Sequence, residues 1–321
     1  MHTAHLDAAR TLSVCASSED RLPAWLPLSA VTDAAERLHG HIVRTPLLHA
    51  PALGRDLWLK AETFQATGAF KERGALNRLL RLTALERAGG VVAMSAGNHA
   101  QGVALHARRL GVKATIVMPV TAPRCKVDRT TDLGAEVVLH GATVGEAKGK
   151  ALELAAERCL TFVHPYDDPD VIAGQGTVGL EVLADRPDVE TLVVPVGGGG
   201  LLAGIAAAVK AIKPSVRVIG VRLGERGGLT LADGINVHAL GKLPQEVVAT
   251  LVDDLVEVTE GEIAAAMRAL HGSFGMVAEG AGAAAVAALL TGRLGRTGRT
   301  VAVLSGRNVD GDTLARTLAA A

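Results

Sequence analysis

Short apolar segments alternate with longer amphipathic segments along the chain from Ser29 onward. Strands separated by helices of about ten to fifteen residues are typical of βαβ units, and ligands of such proteins bind at the carboxyl ends of strands. The pattern therefore predicts an α/β fold with parallel sheets flanked by helices. The predicted strands are residues 91–94, 114–119, 136–141, 191–196, 216–221 and 300–305, and the predicted helices are residues 98–110, 124–133, 144–158 and 201–212.

The segment "PVGGGGLLAG" places four glycines between a predicted strand and the helix that begins at Leu201. Bare backbone amides at a helix N-terminus bind anions, so we expect a phosphate here. A Walker A loop would continue with Gly-Lys-Ser or Gly-Lys-Thr, whereas Leu201 and Leu202 follow. A weak dinucleotide fingerprint remains, and Arg222 at the end of the next strand would suit NADP. A glycine-rich turn without a ligand also stays open, but one phosphate held by amides fits best.

Two further turns carry polar groups at strand ends. In "SAGNHAQG", Ser95 and Asn98 can cap the following helix and Gly97 permits a tight bend. This turn is either a capped helix and nothing more, or a second anion site suited to the carboxylate of a small substrate. In "SGRNVDGD", Ser305 ends an apolar strand with a hydroxyl group that can meet a ligand atom.

Lys71 follows Phe70 at the predicted start of a helix. A lysine in that position is usually solvated. Beside a phosphate site, however, an amine with an aromatic neighbour suits Schiff-base chemistry, because the aromatic ring offers a flat face to a cofactor ring. One phosphate site, one amine and one carboxylate site together indicate pyridoxal phosphate acting on an amino acid.

Composition excludes several other classes of partner. The 321 residues contain 33 Lys plus Arg and 33 Asp plus Glu, so there is no electrostatic footprint for nucleic acid. The longest apolar runs are too short to span a membrane. The three cysteines are widely spaced and form no CxxC pair, and the histidines form no HExxH pattern. We therefore expect a cytoplasmic protein without a metal site, a nucleic-acid partner or a membrane partner.

Four motifs give the chain its resemblance to a known family: "FQATGAFKERGALN" (64–77), "SAGNHAQGVA" (95–104), "HPYDDPDVIAGQGT" (164–177) and "PVGGGGLLAG" (195–204). The segments "TLADGI" (230–235) and "EGAGAAA" (279–285) add to it. From about residue 29 to the last, the chain resembles the threonine ammonia-lyases (threonine/serine dehydratases), which are fold type II pyridoxal-phosphate enzymes related to the tryptophan synthase β-chain. The resemblance implies β-elimination of water from L-threonine or L-serine, which gives a 2-oxo acid and ammonia.

The resemblance also implies a role for each motif. Lys71 would form the Schiff base with pyridoxal 5′-phosphate and act as the catalytic base, and Phe70 would lie against the cofactor. Asn98 would bond the ring hydroxyl and Ser305 would face the ring nitrogen. Gly234 would line the ring face, with Glu279 nearby. The residues expected to hold the phosphate are Gly197, Gly198, Gly199, Gly200 and Leu201, and those expected to frame the substrate carboxylate are Ser95, Ala96, Gly97, Asn98 and His99.

The implied architecture has two lobes with the cofactor between them. We expect a small domain over residues 90–165, a large domain over residues 29–89 and 166–321, and a poorly ordered extension over residues 1–28. By the same resemblance the protein is expected to be a homodimer. We expect no regulatory domain of the kind found in the long relatives, and hence no feedback by isoleucine.

Four departures from the family pattern bear on substrate and metal. Arg307 replaces a common glycine, and the segment before Thr230 is short. Arg222 and Gly228 stand where some relatives place the acidic ligands of a divalent cation, so we expect no activating metal, with Arg222 either replacing the ion or facing solvent. Ala96 replaces the second acid–base serine of serine racemases, which favours elimination. 3-Hydroxyaspartate dehydration, racemisation, a non-catalytic cofactor-binding regulator and an NADP-dependent oxidoreductase remain alternatives.

Overall fold

The computed structural model describes residues 21–320 of the chain. Residues 1–20, most of the predicted extension, lie outside this range. Leu26, just before the first described helix, is fully buried in the main core. In the first half of the chain the elements are α1 Leu28–Leu38, β1 Leu47–His49, β2 Leu57–Ala61, α2 Lys71–Leu80, α3 Ala84–Gly89, β3 Val91–Met94, α4 Asn98–Arg109, β4 Ala114–Met118, α5 Arg124–Asp132, β5 Glu136–Leu139, α6 Val144–Glu157 and β6 Thr161–Phe162.

The second half continues the alternation of strands and helices. A short 3-10 helix, Asp233–Ile235, interrupts it after β8. The elements are α7 Pro169–Asp185, β7 Thr191–Pro195, α8 Gly200–Ile212, β8 Arg217–Leu223, α9 Lys242–Leu251, β9 Asp254–Val258, α10 Glu260–Phe274, α11 Gly280–Leu290, β10 Thr300–Leu304 and α12 Gly311–Ala319.

Two sheets define two lobes. The large sheet has six strands in the order β1-β2-β10-β7-β8-β9, and its pairs are parallel except β1 with β2. The small sheet has four parallel strands in the order β5-β4-β3-β6. We call the segment from β3 to β6 the small lobe and the rest of the described chain the large lobe. The α/β prediction with parallel sheets is confirmed, whereas the exact domain boundaries remain a prediction.

Apolar burial explains why the central strands read as continuous hydrophobic runs. All five residues of β7 and all five of β10 are buried, because helices cover both faces of the large sheet. The apolar helix α8 packs on one face and the alanine-rich helix α11 on the other. Among the described residues, no helix combines the length and apolar character that a membrane span needs.

Candidate active site

Lys71 is the first residue of α2, and Phe70 is its N-cap. The Lys71 Nζ atom donates a 2.7 Å hydrogen bond to the backbone oxygen of Pro165 and lies 5.2 Å from the centroid of the Phe70 ring. Burial lowers the pKa of the Lys71 amine to about 8. A sizeable neutral fraction is therefore present near neutral pH, as a nucleophile or a base requires.

Buried charges fix the helix that begins at Lys71. The Arg73 guanidinium has no exposed surface and binds Glu62 and Glu181 through paired hydrogen bonds of 2.7–2.9 Å. The Glu72 carboxylate lies 3.3 Å from the Nε2 atom of His106 in α4, within hydrogen-bonding distance. Glu72 thereby joins α2 to the small lobe. Such bidentate, desolvated contacts restrict the orientation of α2.

The glycine turn is a set of free amides. Gly199 has a left-handed φ of 93°. A Cβ atom on Gly197 would lie 2.8 Å from the backbone oxygen of Gly234, and one on Gly198 would lie 2.3 Å from the ring of Tyr166. Within the described chain, none of the amides of residues 197–201 donates a hydrogen bond to another group. Unpaired amides at a helix N-terminus fit a phosphate group.

Asn98, at the start of α4, connects the lobes through its side-chain amide. Its Nδ2 atom donates a 2.6 Å hydrogen bond to Glu279 of the large lobe. Its Oδ1 atom accepts a 2.7 Å hydrogen bond from Asn308, which also donates a 2.7 Å bond to the backbone oxygen of Thr67. These contacts determine which end of the Asn98 amide is the donor.

Glu279 is a buried carboxyl group at the N-cap of α11. Burial is the main reason that its pKa is raised to about 7, and the charge of Asp233 adds to the shift. The hydrogen bond from Asn98 and the charge of Lys126 oppose it. Near neutral pH the group therefore exists in both protonation states.

Ser305 lies directly beside the Lys71 segment. Its backbone oxygen accepts a 3.0 Å hydrogen bond from the Phe70 amide, and its hydroxyl is buried with one long, 3.4 Å contact to the backbone oxygen of Ala281. Because this contact is long and weak, the single hydroxyl proton can turn to another acceptor. Gly234 packs against Ala281, since a Cβ atom on Gly234 would lie 3.0 Å from the Cβ of Ala281. Ser305 is thus joined to the Lys71 segment through the Phe70 amide and to Gly234 through Ala281.

The turn from Ser95 to His99 supplies backbone donors. The Ser95 hydroxyl accepts a 3.1 Å hydrogen bond from the Gly97 amide, and Ala96 packs against the small-lobe core. The His99 Nε2 atom donates to the backbone oxygen of Val163 at 3.0 Å. Burial lowers the pKa of His99 to about 3, so its Nδ1 atom is an acceptor. Any contact of His99 with a carboxylate must therefore come from its backbone amide.

The two arginines singled out in the sequence have different surroundings. Arg307 has an exposed side chain that passes over Gly68. Arg222 stands opposite Glu257 in the β8–β9 pair, and its side chain makes no hydrogen bond or ion pair with another described residue. Arg226 makes such contacts, because its guanidinium donates to the backbone oxygen of Leu223 at 3.0 Å and meets Glu257 at 3.4 Å. In the described chain no group of three or more His, Cys, Asp or Glu side chains could hold a metal ion.

Three residues near the site received no role from the sequence. Pro165 provides the acceptor for Lys71, Tyr166 covers Gly198, and Asn308 orients Asn98. Pro165 and Tyr166 belong to the segment "HPYDDPDVIAGQGT", and Asn308 belongs to "SGRNVDGD". The motifs were visible in the sequence, but the contacts that give these residues a role connect distant segments.

Comparison with known proteins identifies the family of the chain. The family model described as pyridoxal-phosphate dependent enzyme matches residues 38–306. The catabolic L-threonine dehydratase TdcB of Escherichia coli (strain K12) is 45% identical over 303 residues, which cover 87% of this chain and 92% of that protein. The family match spans every strand of both sheets and includes Lys71, the glycine turn and Ser305.

Two solved structures have the same fold. The processed form of threonine deaminase isoform 2 from Solanum lycopersicum is 36% identical with a TM-score of 0.85, and the match covers 91% of this chain and 87% of that one. Maize serine racemase is 31% identical with a TM-score of 0.87, and the match covers 91% of this chain and 97% of that one. The predicted two-lobed fold is therefore confirmed.

Proposed function

The chain belongs to the pyridoxal-phosphate-dependent enzymes and is a lyase of the threonine dehydratase type, and we propose that it converts L-threonine and L-serine to 2-oxo acids and ammonia at the site around Lys71. The observation that carries this proposal is the position of the Lys71 amine. It is part-buried and has a pKa of about 8. Its Nζ atom donates to the backbone oxygen of Pro165, and the next residue, Tyr166, lies against Gly198 and Gly200 of the glycine turn, whose amides are unpaired.

The residues described around Lys71 fit pyridoxal phosphate. The glycine amides would hold its phosphate, the Ser305 hydroxyl would meet its ring nitrogen, and Asn98 would donate to its ring hydroxyl. Glycine is required at positions 197 and 198, because a Cβ atom at either would collide with the backbone of Gly234 or the ring of Tyr166. These observations support the roles assigned from the family resemblance.

When bound, pyridoxal phosphate supplies an electron-withdrawing group that makes the α-hydrogen of an amino acid acidic. Lys71 takes that proton at Nζ, for which its lowered pKa keeps part of the amine neutral. The backbone amides of Asn98 and His99 orient the substrate carboxylate at the N-terminus of α4. The neutral Ser305 hydroxyl would place no negative charge at the ring nitrogen, which favours prompt loss of the β-hydroxyl. The leaving group would depart as water with a proton supplied by the bound phosphate or by a water molecule.

Serine racemisation is the second candidate function, because maize serine racemase has the same fold. Racemisation needs an acid on the face of the α-carbon opposite Lys71. Ala96 has only a methyl group and packs on the small-lobe core, so it cannot transfer a proton. We therefore propose that elimination predominates over racemisation.

The test combines a spectrum, a labelling experiment and a product assay. The purified protein should be yellow, and borohydride reduction should attach the cofactor to Lys71 alone. Incubation with L-threonine or L-serine should give 2-oxobutanoate or pyruvate with little D-serine. A colourless protein that binds NADPH and keeps its activity after Lys71→Ala would support the oxidoreductase alternative. A yellow protein that forms no oxo acid would support a regulator.

Comparison of kcat/KM for L-threonine, L-serine and 3-hydroxyaspartate decides the substrate. We propose the two monocarboxylic substrates, because the matched enzymes of Escherichia coli and Solanum lycopersicum are both named for threonine. A preference for 3-hydroxyaspartate would contradict this choice.

We also propose that the protein acts as a homodimer in the cytoplasm. Cys125 and Cys159 are both exposed free thiols, which suits a reducing compartment. Light scattering on the purified protein measures the subunit number, and a mass of one chain would contradict the dimer. Cell fractionation tests the compartment.

A further inference from the structure

Lys126 and Asp233 form an ion pair between the two lobes. Lys126 lies in α5 of the small lobe, and Asp233 begins the 3-10 helix Asp233–Ile235 of the large lobe. About a fifth (21%) of the Lys126 side chain and about half (56%) of the Asp233 side chain are exposed to solvent. Among the described residues, two pairs of acidic and basic side chains join the lobes. Glu72–His106 is buried, so Lys126–Asp233 is the pair at the surface.

Both partners are fixed within their own lobes. The Lys126 amide donates to the backbone oxygen of Pro123 at 2.9 Å, and the Thr130 hydroxyl donates to the backbone oxygen of Lys126 at 2.9 Å. The segment before Asp233 packs so closely on α11 that a Cβ atom on Gly280 would lie 2.3 Å from the backbone oxygen of Leu231. A change in their separation therefore requires movement of one lobe relative to the other.

The pair borders the active site. Asp233 precedes Gly234, which contacts Gly197 of the phosphate turn. The charges of Lys126 and Asp233 both act on Glu279, which is buried and hydrogen-bonded to Asn98. Lys126 and Asp233 thus connect the lobes on the side where the Asn98 turn faces the large lobe.

We propose that Lys126 and Asp233 form a latch that holds the small lobe closed over the bound substrate. The proposal rests on the function proposed above, because it concerns the substrate of that reaction. Exposed ion pairs are weak and are screened by salt, so the latch can open for substrate entry and product release. Closure of a lobe over substrate keeps water out and retains the substrate without taking part in the chemical step.

Four variants test the latch, all assayed as cofactor-loaded enzyme. Lys126→Met and Asp233→Asn should each raise KM about three- to fivefold while kcat stays within about twofold, because a surface pair contributes little to binding and nothing to proton transfer. The exchange variant K126D/D233K should return KM towards the wild-type value. Arg124→Met is the matched control, because Arg124 lies on α5 with an intrahelical partner, Asp128, and should leave KM unchanged.

Salt and cross-linking give independent measurements. Added NaCl should raise the wild-type KM towards that of Lys126→Met, whose own KM should respond little. A carbodiimide activates a carboxylate and leaves as a urea when an amine displaces it, so it should join Lys126 to Asp233 by an amide bond. Mass spectrometry should find this linked peptide in the wild type, and the linked fraction should have lost turnover.

Each failure has a distinct meaning. Three outcomes would overturn the latch. They are equal KM values in all variants, a KM of the exchange variant as high as that of the single variants, and full turnover of the cross-linked enzyme. If the protein dehydrates neither threonine nor serine, the proposed function fails instead. The cross-linked peptide still decides whether Lys126 and Asp233 meet, because that measurement needs no turnover.

Discussion

The Asn98 side chain donates a 2.6 Å hydrogen bond from the small lobe to the Glu279 carboxyl group of the large lobe. This contact joins a residue of the substrate turn to a buried acid whose pKa is raised to about 7. Because Asn98 is also held by Asn308, the two lobes meet at a polar centre whose charge changes near neutral pH.

The raised pKa of Glu279 predicts a pH-dependent cost to stability. The folded-state pKa lies above the ordinary value of 4.5, so the cost is absent below about pH 4.5, grows between pH 4.5 and 7 and is complete above pH 7. Glu279→Gln should therefore stabilise the cofactor-free protein at pH 8.5 by up to about 3 kcal/mol and change little at pH 4.5. Denaturant unfolding of both proteins at the two pH values measures this. An equal difference in unfolding free energy at both pH values would contradict the prediction.

Lys71 should be required for activity and should also lower stability. Its folded-state pKa of about 8 lies below the ordinary 10.5, so the cost of burying the cation is complete below pH 8 and is lost as the pH rises to 10.5. We expect Lys71→Met to reduce turnover at least about a thousandfold. At pH 7 its cofactor-free form should be more stable than wild type by up to about 3 kcal/mol. Unfolding curves at pH 7 and 10.5 test the sign.

Gly198→Ala should abolish cofactor binding. The added methyl group would lie 2.3 Å from the Tyr166 ring and would displace either the ring or the phosphate turn. Absorbance during cofactor titration measures the loss. Gly149→Ala is a suitable control, because a Cβ atom there meets nothing within 4 Å in the middle of α6, so the helix should gain up to about 1 kcal/mol. Normal cofactor binding by Gly198→Ala would contradict the tight cradle.

Asn308→Ala should weaken the cofactor site without touching Lys71. The change removes the donor to Asn98 Oδ1 and to the Thr67 backbone, and leaves both acceptors without that partner. The loss of about 1–2 kcal/mol corresponds to a roughly five- to thirtyfold weaker affinity for cofactor. Titration of the cofactor-free protein with pyridoxal phosphate gives this affinity directly. An unchanged Kd would show that Asn98 keeps its orientation without Asn308.

Divalent cations should not activate the enzyme. Arg222 and Gly228 supply no carboxylate, and a hard cation needs several oxygen ligands. Activity and Tm should be the same with EDTA and with added Mg²⁺. Arg226→Ala should lower Tm because Arg226 braces the segment after β8, whereas Arg222→Ala should be nearly silent. Activation by Mg²⁺ would contradict the prediction about cations. An unchanged Tm of Arg226→Ala would contradict the role given to Arg226.

Strand positions followed closely from the sequence, because apolar runs such as 91–94 and 300–305 are buried on both faces. The strands β1, β2, β6 and β9 were not anticipated. The residues of β1, β6 and β9 are mostly only partly buried or exposed, so their apolar signal is weak. The residues of β2 are mostly buried, but Lys60 interrupts its apolar run. The role of Arg222 was also left open, since residue type alone does not tell which of two nearby arginines reaches Glu257.

The sequence by itself determined the α/β class, the glycine turn, the lysine and the family, because each depends on local spacing or on short motifs. Only the tertiary structure decided which groups meet. Pro165 accepts a hydrogen bond from Lys71, and Asn308 orients the side-chain amide of Asn98 by donating to its Oδ1 atom. Lys126 forms an ion pair with Asp233, although more than a hundred residues separate them in the sequence. The lowered pKa of Lys71 and the raised pKa of Glu279 likewise come from burial, which arises only when both lobes are packed together.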